Sequence, residues 1–569
     1  MAETRGHRRQ LRHWGWGYAD ETLTAAEREQ LQRLVATVGG AGDAAVVPPQ
    51  LHEYRMPPPR LQAPDRLDAI VSTAAYDRVT HAYGKSFADL VRLQLRDVPH
   101  PPDLVAFPRS EDDITAVLDF AAGCGAAVIP FGGGTSVCGG VEPDVGGDYS
   151  AVISVDMQYL NRVLEVDRTS RAALIEGGAL GPELEAALKP HGLTLRHFPQ
   201  SFQFSTLGGW IATRAGGHFA THYTHIDDLV ESVRMLTPQG VMESRRLPGS
   251  GAGPAPDRLM IGSEGTLGFI TRSWVRVQDR PTFRASASIA FPAMAQASGA
   301  VRAISQAGLF PSNCRLLDPV EAVMNGVGDG RTALVVLAFE SADHPLDAWL
   351  SRALELAADH GGSWEPAAAH SGEQHRAGAA GAWRSQFLRA PYYRNYLTPA
   401  GVIADTFESA ITWDRFEGFY AAVRERLASA IRTATGADGI VSCRFTHIYP
   451  DGPAPYFTFY ARGTKNGDMV SMLARWRDIK LAANAAVTDL GGTVTHHHAV
   501  GRDHRPAGYD RQVPHLFRTA FAGARQVLDP AGLMNPGVLI DTPLRGATCG
   551  GVLRGTLLHD AAPPAPGER

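Results

Sequence analysis

Apolar and polar positions alternate with more than one period along this chain. Between Thr22 and Val38 the apolar residues Leu31, Leu34, Val35 and Val38 recur at helical spacing and stop before Gly39-Gly40, which predicts a helix. The proline-rich run Pro48–Pro64 reads as an extended connector. From Val105 short apolar runs take over. Asp112–Ala122 predicts a helix, Ala126–Pro130 a buried strand, and Ala151–Val155, Val163–Val166 and Leu174–Glu176 further strands. A helix over Pro182–His191 and a short strand at Ile211–Thr213 follow. A second alternation begins near Arg280-Pro281, with strands at Ala285–Ala290, Ala333–Phe339, Ile440–Tyr449 and Tyr456–Tyr460, and helices at Met294–Ala307 and Leu346–His360. Past His498 come a helix near Val513–Leu528 and a turn at Asp529-Pro530. The tail after Pro543 is rich in Gly, Pro and Ala and too poor in apolar residues to order itself. These shifts divide the chain into a helical N-terminal segment (1–95), a first mixed unit (96–280), a second (281–500), a helical C-terminal segment (501–545) and a disordered tail (546–569).

Composition narrows the partners more than the fold. A chain of 569 residues, 44% hydrophobic and 20% charged, can bury a core in each of two or three domains. The formal net charge of -5 argues against nucleic acid, whose phosphates select basic surfaces. The cysteines Cys124, Cys138, Cys314, Cys443 and Cys549 are scattered and form no CxxC, so a reducing compartment is expected, without a disulfide framework or zinc ribbon. No run of about 20 apolar residues is present to span a bilayer, and the basic start lacks the apolar core of a secretory signal. The expectation is a cytoplasmic protein, with peripheral membrane contact left open.

The first chemical signal is V-I-P-F-G-G-G-T-S-V-C-G-G over Val128–Gly140. Three successive glycines after a buried strand, followed by Thr135 and Ser136, offer backbone N–H groups and hydroxyls to an anion. Valine stands where the Rossmann spacing needs its last glycine, and Gly84-Lys85-Ser86 lacks the upstream glycine of a P-loop. Two more loops of the same character precede apolar segments: P-Q-S-F-Q-F-S-T-L-G-G at Pro199–Gly209 and G-S-E-G-T-L-G-F-I at Gly262–Ile270. Three in order suit an extended dinucleotide. His496-His497-His498 is the second signal. In a strand His496 and His498 would share one face, with His497 on the other. The run is open to three readings: a surface histidine run, an H-x-H metal pair completed by a residue such as His504, or a proton-handling site that could also hold phosphate when charged.

Taken together, P-F-G-G-G-T-S, P-Q-S-F-Q-F-S, T-R-A-G and E-G-T-L-G-F-I resemble the FAD-binding segments of the vanillyl-alcohol-oxidase-type flavoproteins. Within that superfamily the chain is most similar to the alkyl-dihydroxyacetone-phosphate synthase family. W-G-W-G-Y (Trp14–Tyr18), D-R-V (Asp77–Val79), T-F-E-S-A-I-T-W-D (Thr406–Asp414), C-R-F-T (Cys443–Thr446) and T-H-H-H-A-V-G (Thr495–Gly501) extend the likeness over roughly residues 11–540. The resemblance implies an α+β fold: a two-subdomain FAD-binding domain of the vanillyl-alcohol-oxidase (PCMH) type with an α/β cap and a helical N-terminal segment.

It also implies non-covalent FAD, since the glycine loop has no histidine to bond the flavin. Cofactor contacts are implied at Pro130, Phe131, Gly132, Gly133, Gly134, Thr135 and Ser136, and at Pro199, Gln200, Ser201, Phe202, Gln203, Phe204 and Ser205. Further contacts are implied at Thr213, Arg214, Ala215 and Gly216, and at Glu264, Gly265, Thr266, Leu267, Gly268, Phe269 and Ile270. The catalytic set implied is Tyr456, His496, His497, His498 and Arg394, without a metal, with Arg394 and Thr406 binding substrate and Arg444 and Arg462 as secondary anion sites. The implied reaction exchanges the fatty acid of an acyl-dihydroxyacetone phosphate for a fatty alcohol, with C1 held on flavin N5 between the two halves and no net redox change. Small lipid substrates and a second copy of the chain are the implied partners.

The chain departs from the synthase pattern in several places. Gln200 replaces an acid, Thr406 a serine, and Ala454 and Pro455 larger residues, while Leu528–Gly537 is nearer the FAD-linked 2-hydroxyacid dehydrogenases. A dehydrogenase or oxidase of D-lactate or glycolate type is therefore the alternative, although its H-x-G-D-G-N-x-H motif is missing. A non-catalytic flavin-binding protein is the third reading.

Overall fold

The computed structural model describes residues 9–41, 47–219, 221–365, 370–371, 389–464 and 467–541, so the expectation for the tail and Cys549 lie outside the described residues. Three sheets organise the molecule. In the first, strands β1 (Val71–Ser72), β2 (Leu104–Ala106), β3 (Ala127–Phe131) and β4 (Val152–Asp156) lie in the order β1-β2-β4-β3. β2, β4 and β3 run parallel and are buried almost throughout, as strands covered on both faces must be. The second sheet is antiparallel, in the order β5-β6-β9-β7-β8, from β5 (Val163–Asp167), β6 (Ala172–Glu176), β7 (Val230–Thr237), β8 (Gly240–Glu243) and β9 (Phe269–Arg276).

The third and largest sheet carries strands β10 (Phe283–Phe291), β11 (Asn313–Leu317), β12 (Ala333–Ser341), β13 (His370–Ser371), β14 (Val402–Glu408), β15 (Ile440–Ile448) and β16 (Pro453–Arg462). Their order is β13-β10-β12-β11-β15-β16-β14, and every pairing among the described residues is antiparallel. Strands and helices alternate along this part of the chain, but the helices cover one face of an antiparallel sheet rather than crossing over parallel strands. Ala297, Val301, Phe416, Val423, Leu427, Trp476 and Ile479 of those helices pack on Ile289, Leu316, Val335, Phe407, Phe445, Phe457 and Phe459 of the strands.

The opposite face of that sheet builds the site. Side chains alternate along a strand, so Phe457, Phe459 and Ala461 turn to the helices while Tyr456, Thr458 and Tyr460 turn away. The same parity sends Ala404 and Thr406 of β14 and Arg444 of β15 to that side. Register places Glu408 opposite Tyr456 and Tyr456 opposite Arg444, in one row across three strands. An irregularity between Phe445 and His447 interrupts the alternation, so Thr446 and His447 both face the cavity.

Helix α1 (Ala25–Val38) starts where Thr24 and Glu27 form a capping box and ends at Gly39, at φ 74°. Leu31, Val35 and Val38 pack on Leu397, Ala400, Val402 and Ala404, so the N-terminal helix lies against β14. The expected strand at Ile211–Thr213 is instead the end of helix α2 (Leu207–Thr213). Thr206 caps it by accepting from the Gly209 N–H, and its buried residues Leu207, Trp210 and Ile211 fall at helical spacing. The C-terminal segment returns to the first sheet, where Val128 N donates to Leu533 O and Asn535 N to Val128 O, beside β3.

Candidate functional site

A cavity of about 820 Å³ separates the glycine loop from the third sheet. Of the sequence-predicted residues, Gly132–Ser136, Gln200, Ser201, Ser205, Thr213, Ala215 and Gly216 line it from one side, and Arg394, Thr406, Tyr456, His497 and His498 from the other. His496 lies behind His497. The remaining implied cofactor positions do not reach the cavity wall. Phe131 packs on His81, Phe204 lies among Trp16, Tyr18 and Tyr392, Gln203 accepts from Tyr392, Arg214 pairs with Asp227, and Thr266, Leu267, Phe269 and Ile270 are buried in the core.

The glycine loop is built for an anion. Among the described residues the peptide N–H groups of Gly133, Gly134, Thr135, Ser136 and Val137 donate to no protein acceptor. Unmet donors in succession are a nest for phosphate oxygens. Gly134 holds the turn at φ 63°, and a Cβ on Gly133 would lie 1.7 Å from the Phe204 carbonyl oxygen, so only glycine permits this approach.

The histidine run is a loop, not a strand, and the alternation expected of it does not occur. Glu408 replaces strand pairing as its organiser. This carboxylate, 1% exposed, accepts from Thr495 Oγ1 at 2.6 Å, from His497 N at 3.0 Å and His498 N at 2.9 Å, and also from His496 N. Burial raises its pKa, but attraction to the three imidazoles in the charged form they take at low pH, with the Thr495 hydroxyl, outweighs burial and holds it well below the usual carboxylate range. The rings themselves are neutral: burial lowers His496 and His447 well below the ordinary value, His497 to about 3 and His498 to about 4. Neutral imidazoles pass protons but bring no charge to hold phosphate.

Positive charge reaches the cavity instead from arginines on the side of the third sheet. Arg394 lies 3.4 Å from Thr406 Oγ1 and 3.5 Å from Asp405, and Tyr456 donates to the same Thr406 oxygen at 3.0 Å. Arg444 pairs with the buried Glu321 at 2.7 Å and lays its guanidinium 3.9 Å over the Tyr456 ring, fixing that phenol from one face. Arg315 also lines the cavity. Burial and Arg444 lower it to about 9, which leaves it charged at neutral pH. Arg462 turns away, donating to Thr435 O, and His504 donates from Nδ1 to Ala499 O instead of completing a metal pair. Glu264 also points elsewhere, accepting from Val500 N and Gly501 N at 2.8 Å, where it tethers the C-terminal end of the histidine loop.

Burial holds the Glu264 carboxyl up at about 7, against the two N–H donors, from an ordinary value of 4.5. A raised folded value means that its contribution is complete below about 4.5 and is lost as pH rises through about 7. The expected result is that the Tm advantage of wild type over Glu264→Gln, which cannot ionise, narrows between pH 5 and 8. A gap constant over that range overturns the assignment.

Glu408, Glu321, Arg315 and His447 were not singled out from the sequence. The one available signal for Glu408 was a carboxylate ending the largely apolar run V-I-A-D-T-F-E, which burial obliges to find donors.

Comparison with known proteins agrees with this geometry. Residues 102–244 match the family model described as FAD binding domain, and residues 280–539 match FAD linked oxidases, C-terminal domain. The alkyldihydroxyacetonephosphate synthase of Trypanosoma brucei brucei is 30% identical over 522 residues, covering 86% of this chain and 82% of the relative. That of Dictyostelium discoideum is 28% identical over 491 residues, covering 82% and 77%. A mitochondrial D-lactate dehydrogenase (cytochrome) of Arabidopsis thaliana is 30% identical over only 309 residues, 53% and 52% of the two chains. Among solved structures, an alkyldihydroxyacetonephosphate synthase superposes with a TM-score of 0.75 at 23% identity, covering 94% of this chain and 99% of that one. p-Cresol methylhydroxylase has a TM-score of 0.63 at 14% identity, covering 83% and 94%. The fold is thus the α+β, two-subdomain FAD-binding type with a cap, and the nest at Gly133–Val137 fits the FAD pyrophosphate. With a trypanosomal relative 30% identical along four-fifths of its length, this chain belongs to the alkyldihydroxyacetonephosphate synthase family and uses FAD.

Proposed function

We propose that the protein exchanges the acyl chain of an acyl-dihydroxyacetone phosphate for a fatty alcohol, releasing a fatty acid and forming the ether without net redox. The observation that carries this is the meeting of Tyr456, Thr406, Arg394 and the neutral His497 and His498 in one cavity with the glycine loop. That cavity continues between α1 and helix α3 (Pro319–Met324) as a passage with Leu31, Leu34, Val320, Met324 and Leu397 on its walls, which suits an alkyl chain. Arg394 and Arg315 hold the phosphate, Arg394 in a bidentate fork. Tyr456, oriented by Thr406 and Arg444, protonates the departing carboxylate, and His498 or His497 takes the proton from C1. Bound FAD supplies, through its reduced ring, a nucleophilic nitrogen toward C1. Residues 96–280 act as the cofactor unit and 281–500 as the cap.

Purified protein given palmitoyl-dihydroxyacetone phosphate and hexadecanol is expected to release palmitate and form the alkyl ether. Electron transfer from D-lactate to a dye, without ether, would establish the dehydrogenase reading instead. Tyr456→Phe is expected to lower kcat about 10²- to 10⁴-fold, the span of general acid–base contributions, and to retain its flavin. Loss of the flavin spectrum in that variant would mean the phenol serves structure.

No helix among the described residues is long and apolar enough to cross a membrane. Contact at a lipid surface and a homodimer belong to the same proposal. They are supported by the exposed Leu516, Phe517 and Val527 on helix α4 (His515–Leu528), and light scattering with and without vesicles tests both. A cytoplasmic setting agrees with the free thiols of Cys124, Cys138, Cys314 and Cys443.

A further inference from the structure

His225 lies in T-H-Y-T-H-I-D-D, after α2 and far in sequence from the histidine run, yet its ring centroid is 4.6 Å from that of His496. The hydrogen bonds of this region fix a proton order. His225 Nδ1 is 3.0 Å from the Arg214 carbonyl oxygen, which can only accept, so Nδ1 carries a hydrogen, and with one hydrogen on the ring Nε2 holds the lone pair. His225 Nε2 is 3.2 Å from His496 Nε2, which must therefore carry the hydrogen. His496 Nδ1 is then an acceptor, 3.0 Å from His497 Nδ1–H. That leaves the lone pair of His497 on Nε2, in a ring that lines the cavity. Burial is what keeps His496 and His497 neutral, each with one hydrogen. Tyr449 secures the middle ring, with its hydroxyl 2.7 Å from His496 Nε2 and 3.0 Å from Thr224 Oγ1.

His447, His496 and His497 also bring ligand atoms within 4.8 Å of one another, a spacing that could suit a metal ion. The lone-pair count favours protons. His447 Nε2 donates to Gly217 O, its Nδ1 lies 3.2 Å from Thr446 Oγ1, and His496 Nδ1 is taken by His497. A metal ion would have to break the His496–His497 hydrogen bond.

The proposed exchange reaction, on which this inference rests, consumes an ester and an alcohol and yields an ether, a carboxylate and one proton. That proton must leave the cavity. We propose that His225 is the outer end of a proton relay, His497–His496–His225, leading from the cavity to the partly exposed rim at residues 214–228. His497 Nε2 accepts the proton and its Nδ1–H moves to His496 Nδ1. The Nε2–H of His496 moves to His225 Nε2, and a proton leaves His225 Nδ1 for water. Each ring ends neutral with its hydrogen on the opposite nitrogen, and ring rotation or a returning proton resets the order. His225 touches no substrate and acts through His496.

The test uses the FAD-loaded enzyme. His225→Gln and His225→Ala are expected to lower kcat about tenfold or more with KM for the acyl substrate unchanged, and added imidazole should restore kcat to His225→Ala. In the wild type, 15N spectra of labelled histidines should show hydrogen on Nδ1 of His225, Nε2 of His496 and Nδ1 of His497. Wild-type kcat in His225→Gln, a loss that imidazole does not repair, or a different tautomer order overturns the relay. Unmutated enzyme that forms no ether overturns the proposed reaction instead, and the tautomer order still decides the relay.

Discussion

Glu408→Ala is expected to reduce ether formation by at least about a thousandfold while leaving FAD bound. The carboxylate does not itself line the cavity, yet it accepts from three consecutive peptide N–H groups and from Thr495 Oγ1. Removing it leaves those donors buried without acceptors, at a cost of about 3–5 kcal/mol for a broken buried charged contact. The loop has no strand partner to fall back on, so it relaxes by moving, and His497 and His498 leave their places beside Tyr456. General acid–base steps contribute about 10²- to 10⁴-fold and fail with small misplacements. The flavin stays because the nest is carried by β3 and the following loop, away from Glu408. The measurement is steady-state ether synthesis alongside the visible flavin spectrum. Activity within tenfold of wild type would refute the assignment of Glu408 as the loop's anchor.

Gly133→Ala is expected to yield folded protein without FAD. A methyl at that position would lie 1.7 Å from the Phe204 carbonyl oxygen and 2.7 Å from its carbon, both backbone atoms of the second cofactor loop. Neither can yield as a flexible side chain would, so one loop must withdraw. The N–H groups of Gly133–Val137 then no longer converge, and the anion loses the donors that replace its water. Circular dichroism should remain that of a folded protein, since the cores behind the loops do not involve Gly133. A yellow variant with stoichiometric flavin would show that the approach of the two loops is not required.

How much of this was legible beforehand depended on the range of the interaction. Helix α1, β3 and the third-sheet strands β10, β12, β15 and β16 follow local periodicity, and the residues that cap α1 lie within a few positions of one another. The glycine loop was legible because its chemistry is in the backbone of successive residues. Ile211–Thr213 was misjudged as a strand because the cap that starts its helix, Thr206, lies inside the glycine-rich run that looked like loop. Glu408, Arg315 and Glu321 were silent for a different reason. Glu408 and Arg315 owe their roles to register between strands separated by dozens of residues, such as Glu408 facing Tyr456, and Glu321 on α3 meets Arg444 across 123 residues; no local pattern encodes such pairs. His447 needed the irregularity in β15 as well, since regular alternation would have turned it into the helices.

Because Glu408 grips the main chain of residues 496–498 and not their rings, the shape of this loop is indifferent to which side chains it displays. Single replacements across the triplet should therefore report chemistry with little disturbance of scaffold, position by position. The same arrangement makes the loop a ready platform for redesign: three adjacent display positions, held beside the cavity by one acid outside the exchanged sequence, can be varied together without rebuilding the turn that presents them.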